Sequence, residues 1–227
     1  MGGENVSTRR ALALALIALA LGACASRQVS DSDRFRAQAA YDRALGHLGE
    51  KPPAASAALG ALQEAVAVDP TVSAYHDTLG VVYSVLARPD LAVVELQIAV
   101  KLDPKSADAH FHLGSAYAEL QRWTEAVASY RLALAQPTLA IPDLVHQNLG
   151  LALYHLKRYP EAESSLRFAI SLDPKLQAGY YNLGLVLMAE NRAQEARAVF
   201  RRARELAPET AFGQAAAERL KILGDGG

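Results

Sequence analysis

A single cysteine, Cys24, stands in a chain of 227 residues, which excludes a disulfide framework and any thiolate-based metal site. Charge of one sign is lacking too: 23 Lys and Arg face 24 Asp and Glu, a formal net charge of −1. That balance gives no reason to expect nucleic acid or an anionic membrane surface as partner. The longest apolar run, Ala11 to Leu21, has eleven residues. It is too short to cross a hydrocarbon core of ~30 Å as a helix. Catalytic signatures are missing as well. There is no His-Glu-x-x-His and no Gly-rich phosphate loop. His110 and His112 lie two apart, so on a helix they point to nearly opposite sides and cannot share a metal. His146 and His155 are nine apart, and Ser84 and Ser115 have no evident base. The expectation is a chain that is no enzyme, with no cofactor, no metal and no small-molecule substrate. What is abundant is Ala and Leu. A hydrophobic fraction of 51% excludes a disordered chain, and the mixture favours helices.

The N-terminus reads as an address rather than as part of the fold. Arg9 and Arg10 form a short basic region, followed by the apolar run and then Leu21-Gly22-Ala23-Cys24. This resembles the lipobox of bacterial lipoproteins, with the chain's only cysteine at the cleavage point. The resemblance implies that the Cys24 thiol receives a diacylglycerol, that residues 1–23 are removed as a signal peptide, and that the new N-terminus is acylated. Each buried CH₂ of such a lipid contributes roughly 0.8 kcal/mol, so several chains anchor a protein stably. Residue 25 is Ala rather than the Asp that often marks inner-membrane retention. The implied location is therefore the outer membrane, lipid-anchored at its periplasmic face. An ordinary secretory signal with an incidental cysteine is the plainer alternative, and Ser7-Thr8-Arg9-Arg10 leaves a twin-arginine signal open. Residues 24–33 read as a lipidated tether.

The remainder repeats. Leu-Gly recurs at Leu45-Gly46, Leu79-Gly80, Leu113-Gly114, Leu149-Gly150 and Leu183-Gly184, in steps of 34, 34, 36 and 34 residues. Alanines follow in register at Ala58, Ala92, Ala126, Ala162 and Ala196, and again seven residues later at Ala65, Ala99, Ala133, Ala169 and Ala203. Prolines close the units at Pro70, Pro104, Pro137, Pro174 and Pro208. A glycine inside a helix costs about 1 kcal/mol relative to Ala, so five at one register require a packing reason. The reason expected is close approach of two helices at Gly46, Gly80, Gly114, Gly150 and Gly184. The closing proline removes a backbone donor and stops the second helix.

This pattern resembles the tetratricopeptide repeat, a 34-residue helix–turn–helix unit, over residues 39–210. The implied fold is all-α: a right-handed superhelix of tandem units with a C-terminal capping helix. First helices are expected near 34–48, 72–86, 106–120, 142–156 and 176–190. Second helices are expected near 54–68, 89–102, 123–136, 159–172 and 193–206. Five units fill 34–210, and 211–227 holds a capping helix, starting near 209, and a frayed tail. A cap is needed because each unit buries its face only against neighbours. The first unit departs most, with Gly49 where Tyr83 and Tyr117 stand later and with Pro52-Pro53 in its turn.

In this family the inner wall of the superhelix comes mainly from the first helices. Carried over, the wall comprises Arg43, His47 and Glu50, then Asp77, Thr78, Val81 and Ser84, then Phe111, His112 and Ser115. Units four and five add Gln147, Asn148, Leu151, Tyr154 and His155, and Tyr181, Asn182, Leu185 and Met188. The partner-binding groove is expected chiefly at Phe111, His112, Asn148, Leu151, Tyr154, Tyr181, Asn182, Leu185 and Met188. Rings with a few amides suit an extended peptide, although Phe111, Tyr154 and Tyr181 could equally pack between units. The Lys, Asn, Asn, Lys and Arg set by which such repeats grip chaperone C-termini has no match. The longer link Gln136-Pro137-Thr138-Leu139-Ala140-Ile141-Pro142 resembles the type IV pilus biogenesis and stability lipoproteins, the PilF, PilW and Tgl group. That resemblance implies a pilotin: a lipoprotein whose protein partner is an outer-membrane secretin subunit, which it localises and helps to form multimers. An adaptor for peptidoglycan enzymes or polysaccharide export remains the alternative, and a substrate-binding accessory is a rival of a different class.

Overall fold

The computed structural model describes residues 29–224. The leader, Cys24 with its expected lipid, the first half of the tether and the last three residues lie outside the described residues. Within them, eleven helices follow one another and no strand occurs. The first unit is α1 (Asp31–Gly49) and α2 (Ala55–Val68), and the second α3 (Ser73–Val85) and α4 (Pro89–Leu102). The third is α5 (Ala107–Glu119) and α6 (Trp123–Leu134), and the fourth α7 (Pro142–His155) and α8 (Tyr159–Leu172). The fifth is α9 (Gln177–Ala189) and α10 (Ala193–Leu206), and α11 (Ala211–Ile222) closes the array. No helix among the described residues is long and apolar enough to cross a membrane.

Local chemistry sets the ends. The N–H groups of Arg88, Arg122, Arg158 and Arg192 bond back to the carbonyls of Tyr83, Tyr117, Leu153 and Leu187 at 2.8–2.9 Å. This is a Schellman closure, and it places the preceding residue in the left-handed region. Ala87, Gln121, Lys157 and Asn191 sit there, at φ from 56° to 61°. The second helices stop differently. The carboxylates of Asp69, Asp103 and Asp173 accept the N–H of Thr71, Lys105 and Lys175 at 3.0, 3.0 and 2.9 Å. The intervening proline has no N–H to give, so the carboxylate takes over the backbone's turn. Ser30, Ser106 and Thr210 cap α1, α5 and α11 through their side-chain oxygens. Because Ser30 caps α1, the helix begins at Asp31, inside the stretch expected to be tether.

Each helix packs on its neighbours in sequence, and the first helices of adjacent units also touch: α3 on α5, α5 on α7, α7 on α9. The layout is the right-handed helical array expected. Its core is one long cluster, with Leu62, Leu96, Tyr130, Leu166 and Phe200 from the second helices among its most buried members, and a smaller cluster of Ala37, Ala40, Ala65 and Tyr75 at the N-terminal end. Gly80, Gly114, Gly150 and Gly184 lie under four of these five. A β-carbon at each would stand 2.5–2.6 Å from Leu96, Tyr130, Leu166 and Phe200 respectively.

Unit one corrects the expectation for Gly46, whose β-carbon would meet nothing within 4 Å. The cause is the turn. Five residues join α1 to α2 where three join the helices of units two to five. Two extra residues shift α1 by two positions against α2. Ala44, fully buried, therefore occupies the close-approach site opposite Leu62, and Gly46 faces solvent.

The irregular link is also real. Seven residues separate α6 from α7, against four between the other successive units. Leu139 and Ile141 of this link pack on the core. At the far end Gln177 Nε2 donates to the carbonyls of Ala203 (2.7 Å) and Ala207 (2.8 Å), while Thr210 Oγ donates to Gln177 Oε1 at 2.7 Å. Ala216 and Leu220 bury the inner face of α11.

Candidate functional site

The first helices are joined by a recurring pair. Asp77 Oδ1 lies 2.9 Å from His112 Nδ1, joining α3 to α5. Tyr41 and Thr78 hydroxyls lie 3.1 Å apart, joining α1 to α3. Asp77 and His112 hold neighbouring registers on successive helices, and Tyr41 fills the Asp77 role only if α1 is shifted by two. The shift also re-aims unit one of the wall. Arg43 turns to Glu64 of α2 at 2.5 Å, and His47 pairs with Glu50 at 2.9 Å. Tyr41, Leu45 and Leu48 take the registers expected for Arg43, His47 and Glu50.

The remaining candidates fall into two groups. Phe111 is half-buried, its ring 5.6 Å from that of His112 and 6.1 Å from that of Tyr130. Asn148 accepts from Gln147 Nε2 at 3.2 Å and borders the Tyr130 hydroxyl. Leu151 lines the same hollow. Further along, Tyr154 contacts the rings of His155 (5.5 Å) and Tyr159 (5.9 Å). Tyr181 sits between Phe200 (5.7 Å) and Phe212 (5.6 Å). Leu185 and Met188 are half-buried against the core. Asn182 is only 5% exposed and so belongs to the floor.

Two hollows adjoin along this wall. One, of about 280 Å³, is lined by Val81, Ser84, Val85, Leu96, His112, Ser115 and Glu119. The next, of about 190 Å³, is lined by Ser115, Ala118, Glu119, Trp123, Tyr130, Asn148, Leu151 and Ala152. Ser115 and Glu119 border both. Larger hollows lie elsewhere, around Val29, Arg36 and Pro70 at the N-terminal end and, wide open to solvent, around His146 and Phe168. Burial pushes the Glu119 carboxyl above its ordinary range, opposed by a hydrogen bond from Ser84. Burial likewise raises the Tyr130 phenol and lowers His155.

Sequence reasoning missed four wall residues. Trp123 stacks on His155 at 4.0 Å with planes 6° apart. Its signal was its being the only tryptophan in the chain. Tyr130 forms the floor, Glu119 joins the two hollows, and Phe212 comes from the capping helix. All but Glu119 lie outside the first helices, where the pattern directed attention. Among the described residues no three His, Cys, Asp or Glu side chains converge as metal ligands would.

A family model of the tetratricopeptide repeat matches residues 78–140 and 148–211. The chain belongs to the tetratricopeptide-repeat family. The match leaves out the first unit, the one with the shifted register. A comparison with curated protein sequences finds no significant match. Several solved structures share the fold. The type IV pilus biogenesis factor PilW superposes with a TM-score of 0.74 at 20% identity, covering 84% of this chain and 87% of PilW. PilF of Pseudomonas aeruginosa gives 0.70 at 23% identity, covering 86% and 87%. YrrB, described as a repeat protein with an unusual peptide-binding site, gives 0.65 at 18% identity over 79% and 90%. Proteins of this family are protein- and peptide-binding scaffolds, typically without catalysis.

Proposed function

We propose that this chain is an outer-membrane lipoprotein that acts as a pilotin. Its lipid at Cys24 holds it at the periplasmic face, and its concave wall holds an unassembled secretin subunit. The observation that carries the reading is a likeness to PilW and PilF that runs nearly end to end, over 84% and 86% of this chain. The lipobox at Leu21-Gly22-Ala23-Cys24 and the long link before α7 support it.

The mechanism makes and breaks no bond. Anchoring confines scaffold and partner to one surface, which raises their effective concentration. The wall between α3 and α9 offers rings for apolar side chains, and Asn148 and Ser115 for backbone groups that an extended segment leaves unpaired.

The test is the state of the secretin in a deletion strain. Membranes are separated and probed for heat- and detergent-resistant secretin multimers. Multimers should vanish or remain in the inner membrane and return with the wild-type gene, but not with Cys24→Ala. Normal multimers in the outer membrane of the deletion strain would overturn the reading and leave an adaptor for another envelope complex.

A further inference from the structure

The middle of the wall carries an acid without a counter-charge, Glu119. Glu64, Glu125, Glu161, Glu163 and Glu195 all have arginine partners within 2.9 Å. Glu119 pairs with no cation among the described residues; the Ser84 hydroxyl shares its hollow. It stands at the shared rim of both hollows, and neither hollow is lined by any Lys or Arg. The same register in the other units holds Val85, His155 and Ala189, so the carboxylate belongs to this unit and not to the repeat.

Around it the surfaces are mostly apolar. Val81 and Val85 flank one side, and Trp123 and Leu151 the other. Glu119 keeps an exposed edge to solvent, but the hollows desolvate it in part, and a donor or cation seated there would restore what that costs. Trp123, partly buried and stacked on His155 by one face, adds a ring that can cover an alkyl stem and attract a cation.

We infer that this waist of the groove reads a single lysine or arginine carried by an otherwise apolar, extended segment of the partner, with Glu119 as its counter-charge. The inference rests on the concave wall being a peptide groove. It goes further by naming the side chain read and the residue that reads it.

The only tryptophan of the chain, Trp123, lines the site, so its fluorescence reports occupancy directly. The probes are three nonapeptides of Ala, Leu and Ser that differ only in the central residue: Lys, norleucine or Glu. They are titrated into the purified full chain and into Glu119→Gln. The Lys peptide should bind at least about tenfold tighter than the norleucine peptide, and the Glu peptide weakest. In Glu119→Gln the Lys preference over norleucine should disappear, and a far-UV circular dichroism spectrum matching that of the wild type shows that the variant is folded. Equal binding of all three to the wild type, or a preference that survives in Glu119→Gln, overturns the inference and leaves the groove standing. If none of the three binds, the inference and the groove fall together.

Discussion

Gly184 lies so close to Phe200 that a β-carbon on it would stand 2.5 Å from ring atom Cε1. The ring is fully buried and has nowhere to move. Gly184→Ala should therefore cost about 1–3 kcal/mol through overpacking, despite the better helix propensity of Ala. Gly46→Ala meets open space and should gain up to about 1 kcal/mol. Urea unfolding of both variants checks the pair. Equal effects at the two sites would contradict the shifted register of unit one.

The left-handed turn residues offer a second test. Lys157 at φ 58° carries a side chain that disfavours this backbone region. Lys157→Gly should raise stability by about 0.5–1 kcal/mol, after the greater freedom of Gly in the unfolded chain is set against the relief. Asn191 is better tolerated in this conformation, so Asn191→Gly should gain less. Thermal unfolding ranks them.

Two histidines, His76 buried and His146 half-buried, should give opposite pH dependences. Burial works against the charged form of His76, but Glu95 at 2.7 Å and the Pro70 carbonyl at 3.1 Å outweigh it and raise its pKa. Its contribution is complete below the unfolded value of about 6.5 and is lost as pH rises through the folded one. His146 is the reverse. Burial lowers its pKa, and its Nδ1 has no hydrogen-bond partner. Its contribution is complete above about 6.5 and is lost as pH falls. Unfolding free energies from about pH 5.5 to about 8.5 decide this. His76→Gln should lose most at the acid end, and His146→Phe should gain on the wild type there.

The Asp77–His112 pair should serve the joint between units two and three. Asp77→Ala removes a part-buried acceptor at 2.9 Å and should cost about 0.5–1.5 kcal/mol. Amide exchange should report the loss at α3 and α5, with α9 to α11 less affected, because such arrays transmit stability through nearest neighbours. A uniform loss along the whole chain would show that the joint is not local.

The fold was legible because repetition multiplies weak signals. One Leu-Gly pair says little, whereas five at a nearly fixed step, with alanines and prolines in register, specify helix pairs to within about two residues at most ends. Unit one was misread for a reason the pattern hides. Pro52-Pro53 marked an unusual turn, but not that two extra residues would move Ala44 under Leu62 and turn Arg43 and His47 off the wall. The groove was legible only where the first helices supply it. Trp123, Tyr130 and Phe212 reach it from other helices, and periodicity within one helix says nothing of which neighbour's side chain enters a shared hollow.

The sequence by itself determined the helices, their ends and the order of the units, because caps, left-handed closures, Asx turns and interior glycines act over a few residues. Only the tertiary structure decided which residues meet between units. It took the packed array to show that Asp77 holds His112, that Trp123 lies flat on His155, and that Glu119 faces a mostly apolar hollow without a cation. Those relationships join residues some 30 or more apart in the chain or depend on partners that are absent. They follow from the angle at which one helix pair stacks on the next, which no local pattern records.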